Sequence, residues 1–235
     1  MWLPDAPRRA RLLVADMDST IVTGETLDEL AAFAGVGKEV AAITDRSMNG
    51  LIDFAAALRE RVALLRGLEL HALERTWEGV RISPGARELL ATMRAHGAQT
   101  ALVSGGFTFF TERVAALLGF GVNRANVLEH DGRVLTGRVA EPVLDRGAKL
   151  RTLRELAAAA GLAETDALAV GDGANDLDMI RAAGLGVAFH AKPVVEAAAP
   201  VAVRHAGLRA LLFLQGYNVD DIRADEIREG EIWQG

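Results

Sequence analysis

The chain alternates between two textures. Short unbroken apolar runs, Leu12-Leu13-Val14-Ala15, Thr100-Ala101-Leu102-Val103 and Ala167-Leu168-Ala169-Val170, are each cut off by polar residues. Runs of this length, without alternation, mark strands buried on both faces. Between them, apolar residues recur at three- and four-residue spacing, which predicts helices. Ser83-Pro84 has the form of a helix start, Ser as N-cap and Pro at the first helical position, with Gly97 after the helix. Further helices over about 108–118, 148–160 and up to Arg181 stop at Gly119, Gly161 and Gly184. Leu185–Phe189 and Val201–Val203 are weaker strands separated by a helix. This alternation predicts an α/β fold, a Rossmann-like, mostly parallel sheet with helices on both faces.

Two segments break the alternation. After the first strand, Thr26-Leu27-Asp28-Glu29 has the form of a capping box, and helical patterns fill 38–46, 51–66 and 69–78 with no strand among them. The expected organisation is therefore a core of residues 1–24 and 82–235, with 25–81 inserted as a small helical domain. From Asn126 to Val143, Asp131-Gly132 sits between two β-like runs, predicting an antiparallel hairpin flap.

Composition narrows the class. Of 235 residues 50% are hydrophobic, enough for one core with a small satellite domain. The formal net charge of −6 argues against nucleic acid and anionic membrane as partners. No stretch approaches a membrane span, and Met1-Trp2-Leu3-Pro4-Asp5 does not read as a leader. A cytoplasmic protein is expected. With no cysteine, thiolate catalysis and Cys-ligated zinc are excluded, and the five histidines are scattered. The acidic tail, 216–235 with Trp233, reads as a solvated end.

Chemistry gathers at the strand ends. The first strand runs into Asp16-Met17-Asp18-Ser19-Thr20, the second into Ser104-Gly105-Gly106, the third into Gly171-Asp172-Gly173-Ala174-Asn175-Asp176. In a parallel sheet these ends share one edge, where α/β proteins bind ligands. Alternation along a strand would send the two acids of the first motif to opposite faces, so the chain must leave the sheet at Asp16 for both to serve one site. Crowded carboxylates without His or Cys suit Mg²⁺. Ser104 and the N–H groups of the two glycines could cradle phosphate oxygens. Lys149, one of three lysines against twenty-three arginines, stands at a helix start as a compact point charge.

These groups need one another. A carboxylate attacking a phosphate dianion meets repulsion of roughly 8 kcal/mol at about 4 Å with an effective ε near 20. Unopposed, that costs about six powers of ten in rate. A divalent cation and an ammonium together oppose it. The two acids then divide: Asp16 stays ionised as nucleophile, and Asp18, its pKa raised, carries a proton to the leaving oxygen.

The four segments, Asp16-Met17-Asp18-Ser19-Thr20, Val103-Ser104-Gly105-Gly106-Phe107, Lys149 and Gly171–Asp176, resemble the motifs of the haloacid-dehalogenase superfamily, in wording closest to its phosphoserine phosphatases. The similarity runs from about Arg11 to Tyr217, and the helical insertion looks like that family's C1-type cap, a lid over the active site. The resemblance implies an Mg²⁺-dependent hydrolase that converts O-phospho-L-serine to serine and phosphate, the last step of serine synthesis, through an aspartyl-phosphate. Asp16 would be the nucleophile. Asp18 would be general acid, then base, and would give its backbone carbonyl to the metal. Asp172 would be the remaining protein ligand, with Asp176 behind it and Thr20 steadying the nucleophile loop. Ser104, Gly105 and Lys149 would hold phosphate, and Asn175 would face the substrate. Glu25 would bind the substrate ammonium and Arg61 its carboxylate, between Met48 and Phe54 as apolar walls. The protein would work on a small molecule as monomer or homodimer.

Neighbouring readings stay open: phosphoryl transfer to homoserine, a broader small-phosphomonoester phosphatase, and an Asp-phosphorylated Mg²⁺-binding regulator. The regulator leaves Asp18 idle, having no alkoxide to protonate.

Overall fold

A computed structural model describes residues 9–48, 51–144 and 147–223; the chain's first residues and Trp233 lie outside them. The first strand, β1 (Leu12–Ala15), is followed by four helices, α1 (Thr26–Phe33), α2 (Gly37–Met48), α3 (Phe54–Ala63) and α4 (His71–Gly79). Then come α5 (Ala86–Ala95), β2 (Gln99–Phe107), α6 (Thr108–Leu118) and β3 (Val122–Asn126). The pair β4 (Leu128–His130) and β5 (Leu135–Val139) precedes α7 (Ala148–Ala159) and β6 (Ala167–Gly171). The chain continues through α8 (Leu177–Ala182), β7 (Leu185–Phe189), α9 (Pro193–Ala198), β8 (Val201–Val203) and α10 (Ala210–Leu214).

Six strands form one parallel sheet in the order β3-β2-β1-β6-β7-β8. This is the α/β fold that the alternation predicts. Successive residues of β1 feed opposite layers. Leu13 and Ala15 join a cluster with Leu89, Leu90, Phe110, Val114 and Leu211. Leu12 and Val14 join one with Leu153, Ala157, Met179, Ile180 and Val195. Helices therefore cover both faces, and each fully buried Leu or Val contributes about 1.5–3 kcal/mol. The strand order reverses between β1 and β6, so the ends of these two strands and of β2 meet at the sheet's switch point.

Of the helices after β1, α1 joins the first of these clusters through Leu27 and Leu30, α3 through Leu58 and Val62, and α4 through Ala72 and Leu73. Two antiparallel chain segments connect them to the sheet. Val22 pairs with Ile82, Thr23 N–H donates to the Arg81 carbonyl at 2.9 Å, and Ser83 N–H to that of Ile21 at 2.9 Å. The helical segment between α3 and α4 also meets the β4–β5 hairpin: Gly67 N–H donates to Leu135 O and Leu135 N–H to Leu68 O.

Several local expectations are corrected. Ser83 does not cap α5: Ser83-Pro84-Gly85-Ala86 is a tight turn with Gly85 at φ 84°, ψ −2°, and the helix starts at Ala86. Pro followed by Gly is the signature of a type II turn, which displaces the helix start. Gly85 is also forced by contact, since a Cβ there would lie 2.3 Å from the Arg209 nitrogen. Thr26 is inside α1 rather than its cap, and its hydroxyl caps nothing. The hairpin turn spans 131–134, because the Asp131 carboxylate accepts N–H groups from both Arg133 and Val134 at 2.9 Å. The edge strand β3 has no counterpart in the hydrophobic pattern; its sequence, Val-Asn-Arg-Ala-Asn, carries no apolar run. Residues 216–223 are not a free end, for Tyr217 is buried, edge-on to His96 and under the Arg9 guanidinium.

Candidate active site

The chain leaves β1 at Asp16, whose backbone N–H still bonds the Val170 carbonyl at 3.0 Å. It then turns through 17–21, with Ser19 in the left-handed region at φ 53° and Val22 N–H closing back on Met17 O at 2.9 Å. A non-glycine residue at positive φ is uncommon and marks a turn that its surroundings hold in place. The turn separates the two acids. Asp16 Oδ1 accepts from the Met17 N–H at 2.8 Å and lies 2.8 Å from Lys149 Nζ. Asp18 points instead toward β2 and α1, accepting from Thr26 N–H at 3.0 Å and from Ser104 Oγ at 3.3 Å. Asp18 thus supplies the N-terminal partner that Thr26 was expected to give α1.

Lys149, in the first turn of α7, is buried between two carboxylates, pairing with Asp16 and with Asp176 Oδ1. The other Asp176 oxygen accepts the Gly173 N–H at 3.0 Å, so both are engaged. Asp172 stands at the end of β6 and accepts from Thr20 Oγ1 at 3.3 Å, tying the first turn to the second acidic strand end. Carboxylate oxygens of Asp16, Asp172 and Asp176 lie within 4.8 Å of one another.

Electrostatics follow from burial. Desolvation raises Asp16 well above the usual carboxylate range; Lys149 opposes this, and Asp176 and Asp172 add to it. Asp18 is pushed up to about 6 by burial and by Glu25. Asp172 is likewise pushed up to about 6 by burial and by Asp176. Burial works against the Lys149 charge, but Asp16 and Asp176 overcome it and raise its pKa. The site therefore carries more negative charge than its lysine balances. A cation held by oxygen donors fits this set, and Mg²⁺ is the hard ion such donors suit.

Ser104 lies within β2, which runs on to Phe107, and Gly106 N–H donates to Ser104 Oγ at 2.9 Å. Ser104, Gly105, Lys149 and Asn175 line one small cavity, closed by Phe54, Leu144 and Ala148. Glu25, which precedes α1, accepts from Ser19 Oγ at 2.6 Å. Arg61 in α3 is half-buried, its guanidinium donating to Ala57 O at 3.3 Å and Thr44 Oγ1 at 3.5 Å. Asp28 and then Glu25 oppose the lowering of its pKa by burial. The Met48 side chain lies outside the described residues.

The structure thus gathers Asp16, Asp18, Ser104, Gly105, Lys149, Asp172, Asn175 and Asp176 at one edge. Among the described residues, no direct hydrogen bond joins Arg61 to the strand-end residues. One residue of the site has no counterpart in the sequence motifs. Asn126, at the end of β3, donates from Nδ2 to Gly105 O at 2.9 Å and accepts Leu144 N–H at 2.8 Å. A lone Asn beside a turn-rich stretch carries no signal of such a role.

Fold and site define a doubly wound α/β protein whose switch point holds an acidic, lysine-countered centre next to a hydroxyl and two glycines. The chain belongs to the haloacid dehalogenase-like hydrolases, whose family model matches residues 13–181. It is 45% identical over 229 residues to a phosphoserine phosphatase of Streptomyces coelicolor, covering 97% of this chain and 56% of that protein. It is 47% identical to one of Albidiferax ferrireducens, covering 87% of this chain and 89% of the relative. A solved substrate-bound phosphoserine phosphatase complex superposes with a TM-score of 0.81 at 37% identity, over 88% of this chain and 98% of its own. The chain spans about half the length of several curated relatives, 56%, 55% and 53% for three of them. Among the described residues no helix is long and apolar enough to cross a membrane.

Proposed function

We propose that this protein hydrolyses O-phospho-L-serine to L-serine and phosphate in the cytoplasm, with Mg²⁺, through an aspartyl-phosphate. The observation that carries this reading is the division of the first-motif acids, Asp16 on Lys149 and Asp18 on Ser104. The names of the relatives support the substrate.

In the first step an Asp16 carboxylate oxygen attacks phosphorus and the bond from phosphorus to the serine oxygen breaks. Asp18 delivers its proton to that oxygen. A pKa pushed up to about 6 keeps a usable fraction protonated near neutrality. In the second step Asp18, now a carboxylate, takes a proton from water as the water oxygen attacks phosphorus, and Asp16 leaves. Lys149 and the N–H groups at Gly105 and Gly106 hold the phosphate oxygens, with Ser104 Oγ turning from Asp18 toward them. Asp16, Asp172 and the Asp18 carbonyl, with Asp176 behind them, would hold Mg²⁺, which would supply positive charge to keep Asp16 ionised and offset its repulsion by phosphate.

Residues 25–81 act as a lid on the 1–24 and 82–235 core. The lid brings Glu25 to the substrate ammonium, Arg61 to its carboxylate and Phe54 over the cavity. Arg suits the second task because its planar fork matches a carboxylate.

Phosphate release from phosphoserine, phosphothreonine, phosphoglycolate and phosphoethanolamine, with Mg²⁺ and with chelator, tests the reading. Phosphoserine should be turned over best and only with metal. Equal rates across the panel would reduce the protein to a general phosphomonoesterase, and phosphohomoserine formed on adding homoserine would make it a transferase.

A further inference from the structure

We propose that Asn126 is a positioning residue that locks the phosphate-binding peptide between Gly105 and Gly106 in its working orientation. The inference rests on the phosphate-binding reading above and deepens it.

Both glycines are closely approached by side chains. A Cβ on Gly105 would lie 2.9 Å from the Phe54 ring, and one on Gly106 would lie 2.8 Å from Asp18 Oδ2 and 3.1 Å from Ser104 Oγ. A larger residue at either position would push against the Phe54 ring or the Asp18 carboxylate. The same pair of glycines creates a weakness. A peptide flanked by two glycines has the least steric resistance to rotation of any in the chain. Its plane is rigid, with C=O and N–H pointing opposite ways. In one orientation the Gly106 N–H faces the site, as observed in its bond to Ser104 Oγ at 2.9 Å. In the flipped orientation the Gly105 carbonyl would face it, presenting a negative dipole end to an anion.

The Asn126 side chain decides between the two. It is buried, 3% exposed, and its Nδ2 donates to the Gly105 carbonyl at 2.9 Å, drawing that oxygen away from Ser104. Its Oδ1 accepts the Leu144 N–H at 2.8 Å, which fixes the amide's own orientation. Leu144 lines the same cavity as Gly105, Phe54 and Lys149. One amide therefore braces two walls of the cavity from behind, without itself lining it.

The two ends of the amide can be separated by substitution. Asn126→Asp keeps an acceptor for Leu144 but presents a carboxylate to the Gly105 carbonyl. That repulsion favours the flip, after which the Gly106 N–H would face the introduced carboxylate instead of the site. Asn126→Ala removes the brace without adding charge. Inhibition by orthovanadate and by inorganic phosphate, both in Mg²⁺, reads the cradle directly. We expect it to weaken about tenfold in the Ala variant and about a hundredfold in the Asp variant. Mg²⁺-induced thermal shift should stay near wild type in both. Inhibition of the Ala variant at wild-type concentrations would overturn the assignment. A wild type that neither anion inhibits would instead overturn the phosphate reading itself.

Should neither variant fold, wild-type protein carrying 15N-labelled glycine decides. The Gly106 amide should give one sharp resonance, protected from exchange and shifted by phosphate. Exchange at the rate of an unprotected loop glycine would overturn the proposal.

Discussion

Lys149 Nζ lies 2.8 Å from Asp16 Oδ1, with both side chains buried. A second ion pair, to Asp176, anchors the same ammonium from behind. The lysine is thus held against the Asp16 oxygen by a residue from another strand end. A buried ammonium between two carboxylates is costly to remove, because its partners are left as uncompensated charge. Lys149→Met should lose about a hundred- to a thousandfold in kcat, of the order expected for losing a transition-state donor. Its melting temperature in chelator should also fall. Lys149→Arg should not restore activity, since a planar fork cannot replace a point charge at this position. Steady-state kinetics and thermal melts of the two variants check this.

Asp16→Asn should abolish turnover and leave no acyl-phosphate by intact-mass spectrometry. Full activity, with deamidation excluded, would sink the covalent mechanism. Asp18→Asn should reduce turnover by roughly 10²–10⁴, the worth of a general acid–base group.

The same Asp18 variant has a stability signature. Burial and Glu25 raise the Asp18 pKa to about 6 in the folded protein, above its unfolded value. The folded state therefore binds the extra proton, and as pH rises from about 4 through 6 this site destabilises it. Without metal, Asp18→Asn should melt higher than wild type at pH 7.5, and the difference should close as pH falls below about 5. A melt series in chelator reads it; a constant difference across that range would contradict the assignment.

On this reading, metal and proton are expected to compete for the same acids. Asp16 and Asp172 are both raised, the latter to about 6, by burial and crowding. Above their folded pKa values they are charged and destabilising until a cation arrives. Mg²⁺ should raise the melting temperature more at pH 7.5 than at pH 5.5, and Asp172→Asn should remove most of the effect. An equal shift at both pH values would place the metal elsewhere.

Arg61 and Glu25 are expected to read different ends of the substrate. Arg61→Ala should raise KM for phosphoserine and phosphoglycolate, which carry a carboxylate, but not for phosphoethanolamine. Glu25→Gln should raise KM for phosphoserine and phosphoethanolamine, which carry an ammonium, but not for phosphoglycolate. Unchanged KM for phosphoserine in either variant removes that residue from recognition.

The buried strands were legible because burial on both faces demands unbroken apolar residues, as at Leu12–Ala15 and Ala167–Gly171. The chemistry was legible for a related reason: polar groups placed directly after such apolar runs, like Asp16, Ser104 and Asp172, interrupt a pattern that packing alone would continue, although β2 itself runs on through Ser104 to Phe107. The family motifs in the sequence also placed Lys149 among them. Local features held by distant partners were not legible. The Thr26 capping box failed because Asp18, eight residues earlier, supplies the cap. The edge strand Val122–Asn126 has no apolar signature because its place comes from pairing with β2.

What the sequence determined by itself is the set of elements and the kinds of chemistry at their ends, since periodicity and residue type are properties of neighbours along the chain. Only the tertiary structure decided the strand order that places β1 beside both β2 and β6, the division of Asp16 from Asp18, and the bracing of Gly105 by Asn126. Those depend on hydrogen bonds and ion pairs between residues 21 to 133 positions apart. Such partners are chosen by how the layers pack, and no local pattern records that choice.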